Sequence, residues 1–123
     1  MDIKMLSNQK LHIALFASCL ILVVWGILRA MPPREIFEDS DKVAHFVAFA
    51  ALSFTGRLAL KQLSEVVFWP AMFSVAVALE YLQGQLQSSR YASIEDAIAN
   101  ATGVLVVLIF FVVVSRFKGK LAS

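Results

Sequence analysis

Cysteine is almost missing from this chain of 123 residues, with Cys19 as its one example. That excludes an intramolecular disulfide framework and a cysteine-based zinc motif, and it leaves the redox compartment unmarked. Charge is scarce too, at 16% Asp, Glu, Lys and Arg against about 25% in ordinary soluble chains. The pI near 8.9 therefore carries little weight: the formal net charge is only +2. The basic residues are scattered between apolar runs, which argues against a nucleic-acid partner. HExxH, P-loop and GxSxG patterns are absent, so no common signature of a metalloprotease, nucleotidase or serine hydrolase is present.

What the chain has in abundance is apolar surface. Hydrophobic residues make up 59% of it and the mean hydropathy is +0.75, beyond the roughly 45 to 50% of soluble domains. This composition is that of an integral membrane protein. Leu11 to Leu28 carries no charge and spans roughly 27 Å as a helix, close to the hydrocarbon thickness of a bilayer. A basic segment before such a run also suits a secretion signal, but the run is long and Arg29-Ala30-Met31-Pro32-Pro33 is a poor cleavage site. Met31-Pro32-Pro33 ends the first helix, because proline lacks the amide donor and restrains the residue before it.

Three more helices are expected. The second starts near Asp41 with Asp39 or Ser40 as cap. The third tolerates Pro70 near its start, and the fourth opens on the capping box Ser93-Ile94-Glu95-Asp96. The expected fold is an all-α polytopic membrane protein, a compact bundle of four transmembrane helices at about 11–28, 41–60, 66–83 and 94–116. One domain covers 1–123, without internal repeats. Seven basic residues (Lys4, Lys10, Arg57, Lys61, Arg116, Lys118, Lys120) fall on the side of the termini and four (Arg29, Arg34, Lys42, Arg90) on the other. The positive-inside rule then places both termini of this multi-pass chain in the cytoplasm.

Unusual polar residues gather on the outer side. Asp41 and His45 share a face of the second helix, Glu80 and Gln83 a face of the third, and Asp96, Asn100 and Gly103 a face of the fourth. Arg90 sits in the loop above. Charges at mid-membrane cost about 2.5 to 3.5 kcal/mol each on insertion scales, so these groups should face the bundle or a wet cavity and pair there. The small-residue pairs Ala44/Ala48, Ser74/Ala78 and Ala99/Gly103 suit close helix packing. Blander readings stand beside these. Asp41 and Asp96 suit a helix start, Lys42 suits snorkelling to headgroups, His45 suits a packing histidine and Asn100 suits interhelical glue. Glu80 is the exception, with no cap of its own to serve.

Taken in order, Asp41-Lys42-x-x-His45, Glu80-x-x-Gln83, Arg90 and Asp96-x-x-x-Asn100-x-x-Gly103 resemble the VanZ-like family of small membrane proteins from residue 41 to about 105. The first helix is the extra span. Tyr91 stands where such proteins often carry Ser or Thr, and Val107 replaces a second glycine one turn beyond Gly103. The family is named for a protein associated with resistance to the glycopeptide teicoplanin. The resemblance thus implies a cell-envelope role at the outer face of the cytoplasmic (inner) membrane, with antibiotic resistance as an expectation carried by analogy.

The expected function is an outward-facing polar pocket that binds or processes an anionic envelope lipid or cell-wall intermediate. Arg90 and Lys42 would hold the anion. His45, oriented by Asp41, is the expected proton shuttle, and Glu80 the carboxylate raised by burial. Gln83, Asp96 and Asn100 complete the ligand-binding set. The alternative is a non-catalytic structural or assembly partner whose polar cluster holds the helices together. Membrane lipids are the expected partners, and four short helices leave room for self-association. One histidine among carboxylates is a thin metal-ligand set, so no metal and no cofactor is assigned.

Overall fold

The computed structural model describes residues 3–28, 36–86 and 93–122. They form four helices, α1 (Ile3–Leu28), α2 (Ser40–Ala59), α3 (Glu65–Leu86) and α4 (Ile94–Ala122), with no strand among the described residues. The helical membrane bundle expected from composition is therefore present. The stretches Asn8–Gly26, Glu65–Leu86 and Ile94–Leu121 are long and apolar enough to cross a membrane. Helix α2 carries Asp41, Lys42 and Arg57 within 20 residues and does not reach that measure. It packs against all three other helices.

The entry to α2 differs from expectation. Asp39 is its N-cap residue in the left-handed region, at φ 61°, and makes no side-chain cap bond. Its backbone carbonyl accepts from Lys42 and Val43, while its carboxylate takes the Lys42 ammonium at 3.0 Å. Aspartate is one of the few residues that tolerates this conformation. Ser40 does not cap α2 either; its hydroxyl accepts from the Ile36 amide at 3.2 Å.

At the opposite end, Arg57 ties the short α2–α3 turn. Its guanidinium donates to the Lys61 and Leu63 carbonyls, pairs with Glu65 at 3.3 Å and lies 5.0 Å from the centre of the Phe68 ring. The Gln9 amide donates to the Ala59 carbonyl at 2.6 Å, which pins α1 there.

The apolar core is built from Phe49, Leu52, Phe68, Trp69, Met72, Ala76, Val104 and Val107. On α3 the inward stripe is Met72, Ala76, Glu80 and Gln83, at the four- and three-residue steps of one helix face. Ser74 and Ala78, expected to pack, lie off that stripe and are exposed; Ala76, with no exposure, takes the close approach instead. The Ala99/Gly103 expectation is met at Gly103. A Cβ built there would sit 2.4 Å from the Phe46 carbonyl oxygen and 3.0 Å from the Ala50 amide nitrogen. Only glycine lets α2 and α4 come this close.

Candidate functional site

The start of α2, the end of α3 and the start of α4 meet at one end of the bundle. The first four amides of a helix lack internal acceptors, and α4 meets that need with help from outside. The Asp96 amide donates to Ser93 Oγ at 3.2 Å, one half of the expected capping box. The other half is replaced: the Ser93 amide donates to Glu80 Oε1 at 2.9 Å. Glu80 therefore does serve a cap, that of the neighbouring helix, contrary to the sequence reading. One carboxylate oxygen holds α3 to α4.

Asn100 is the second tie. It is 1% exposed, and its amide nitrogen donates to the Ala76 carbonyl of α3 at 3.1 Å. Its oxygen lies 2.8 Å from His45 Nδ1. The alternative amide orientation would set two carbonyl oxygens against each other, so Ala76 fixes which end of Asn100 faces His45. His45 must then donate from Nδ1. The ring is oriented by Asn100, where the spacing on α2 had suggested Asp41. Asp41 lines the same cavity as His45.

With the ring so placed, Nδ1 is 3.8 Å from Glu80 Oε2 and Nε2 is 3.8 Å from Asp96 Oδ2. Both separations exceed hydrogen-bond length. Glu80 Oε2 is buried with no hydrogen-bond partner, in a side chain only 4% exposed. An unpaired buried carboxylate oxygen is costly, which sets this atom apart from ordinary helix glue. Glu80, Gln83, Asp96 and Asn100 are all buried, so the structure brings together the set expected from three separate helices. Lys42 stands at the rim, where its ammonium bridges Asp39 at 3.0 Å and Glu95 of α4 at 3.3 Å. Arg90 lies outside the described residues.

Beside the cluster is a cavity of about 320 Å³ between α1, α2 and α3. Its polar end is formed by Asp41, His45, Glu80, Gln83 and Asn100, and its apolar wall includes Cys19, Leu22, Val23 and Gly26 of α1. Leu22 and Val47 on its margin are 65% and 55% exposed, so the cavity opens on the side of the bundle, between apolar residues. Sequence reading had given α1 no part in the site. Its contribution is shape alone, which no polar residue advertises. Glu95, which the sequence places only within the capping-box stretch, receives the Lys42 ammonium of α2.

The family described as VanZ/LLP1 matches residues 4–115. The chain belongs to that family. No curated protein and no solved structure matches it. The VanZ/LLP1 match takes in α1, so the helix that walls the cavity lies within the family region along with the polar cluster.

Proposed function

We propose that this VanZ/LLP1 protein binds an anionic amphiphile of the cell envelope, a lipid or lipid-linked cell-wall intermediate. In this proposal the termini are cytoplasmic and the cluster faces outward from the inner membrane. The observation that carries the reading is the dual character of the cavity. An apolar wall open to the lipid region leads into a buried polar end, and an amphiphile has the same two parts in the same order. Its chain would lie along Leu22, Val23 and Gly26, with its head at His45, Glu80 and Gln83. His45 and Glu80 then stand where protons would be exchanged with the head. Lys42, and Arg90 by the sequence reading, supply positive charge at the rim. A contribution to resistance against teicoplanin-type glycopeptides would follow from capture of such an intermediate.

Native mass spectrometry of the detergent-purified protein tests this. A Cβ at Gly26 meets nothing within 4 Å, and Gly26 lines the cavity, so the side chain of Gly26→Leu starts in open space and takes up part of the cavity. Retention of anionic lipid should fall about tenfold, which corresponds to about 1.4 kcal/mol, while the melting temperature stays within a degree or two. Unchanged retention would overturn the reading.

A second reading is favoured by the ties just described: Glu80 to Ser93, and Asn100 to both Ala76 and His45. On it the cluster is scaffold for an assembly partner. Glu80→Gln and His45→Gln then lower the melting temperature and leave lipid retention alone, the reverse of the pattern for Gly26→Leu.

A further inference from the structure

We infer that the cluster at the head of the cavity is a divalent cation site, formed by His45, Glu80 and Asp96. This goes beyond the amphiphile reading and stands without it. One ligand atom from each of the three side chains can be chosen so that all lie within 4.8 Å of one another. Two ligands on opposite sides of an ion with bonds of about 2.1 Å are about 4.2 Å apart, and adjacent ones about 3.0 to 3.4 Å. Closing the set around an ion therefore takes side-chain rotations that draw the most distant pair in by up to about 1.4 to 1.8 Å.

Three further observations point to a cation. Glu80 Oε2 is buried and has no hydrogen-bond partner, while its sister oxygen is anchored by the Ser93 amide, so the carboxylate is held with one oxygen aimed into the cluster. Secondly, Nδ1 of His45 is committed to Asn100, and Nε2, which carries a lone pair when the ring is neutral, stands 3.8 Å from Asp96 Oδ2. That separation is too long for a direct hydrogen bond, and an ion between the two atoms would be held by both. Thirdly, a ligating histidine characteristically donates its other ring N–H to a fixed acceptor, and the Asn100 oxygen, locked by Ala76, is such an acceptor. One imidazole with two carboxylates suits Mn²⁺ or Zn²⁺ better than a soft thiolate-seeking metal. An ion there also offsets the carboxylates that an anionic head would otherwise meet.

The full-length protein, purified in detergent with chelator, delipidated and then freed of chelator, is titrated with Mn²⁺ by electron paramagnetic resonance and with Zn²⁺ by calorimetry. One ion per chain is expected. Glu80→Gln and Asp96→Asn should each weaken binding at least tenfold, and His45→Gln should remove the nitrogen hyperfine coupling from the Mn²⁺ signal. The exposed acid Glu38 is the control, and Glu38→Gln should change nothing. Melting curves without metal identify any variant that fails to fold, and the three substitutions together provide at least one folded reporter. Absence of a stoichiometric site, or binding that survives all three substitutions, overturns the inference. Because no amphiphile is present, such a result leaves the lipid-retention test of Gly26→Leu unaffected.

Discussion

Gly103→Ala is expected to destabilise the bundle more than alanine at Gly56 or Gly119. Its new methyl would lie 2.4 Å from the Phe46 carbonyl oxygen and 3.0 Å from the Ala50 amide nitrogen. Both are backbone atoms of α2, so no side chain can swing aside; the helices must part. Overpacking of this kind costs about 1 to 3 kcal/mol, and occasionally more. Phe46 adjoins His45, so the separation also draws the imidazole away from Asn100 and Asp96. The other glycines supply the comparison. At Gly56 the nearest atoms, at 2.8 and 3.1 Å, belong to the Phe16 ring, which can rotate, and the loss should be smaller. At Gly119 a Cβ meets nothing within 4 Å, and alanine should stabilise the helix by up to about 1 kcal/mol. Thermal unfolding in one detergent should rank the three glycines in that order. Equal midpoints for Gly103→Ala and Gly119→Ala would remove the close α2–α4 approach from the account.

Asn100→Leu should produce the second large effect. The substitution preserves bulk but removes the donor to Ala76 and the acceptor for His45. Interhelical hydrogen bonds in membrane bundles are worth about 0.6 kcal/mol on average. Stranding the His45 N–H in a part-buried site adds to that, so the expected cost is about 1 to 3 kcal/mol. Nitrogen NMR of labelled histidine separates this from general loosening. The wild-type neutral ring should show the proton on Nδ1, and Asn100→Leu should lose that fixed tautomer. Finding the proton on Nε2 alone in the wild type would undo the assignment of Nδ1 as the donor to Asn100.

Much of this arrangement is written in spacing. Asp41/His45, Glu80/Gln83 and Asp96/Asn100/Gly103 repeat at helical steps within apolar runs, and a bilayer forces such residues inward. Their convergence was therefore readable before any coordinates. Which atom bonds which was not. Ser93 and Asp96 match a capping box perfectly well by sequence, and only the position of Glu80 on another helix shows that the Ser93 amide is taken from outside. The same limit applies to His45: Asp41 is the obvious partner at four residues' distance, yet the fixing bond comes from Asn100, 55 residues away. On α3, the small residues Ser74 and Ala78 suggested a packing face that the polar stripe through Glu80 overrides. The cavity was least readable of all, because α1 contributes an apolar wall that looks like any other membrane helix.

The central claim is that an anionic amphiphile occupies this cavity in preference to bulk lipid. It is tested most directly by photo-crosslinking in native membranes, with a diazirine amino acid placed either at Val47, on the cavity margin, or at Val106, an exposed position on α4 that does not line it. The account predicts that Val47 captures one anionic lipid class in clear excess over its share of the membrane, whereas Val106 captures lipids in their bulk proportions. The same bulk mixture at both positions would contradict it.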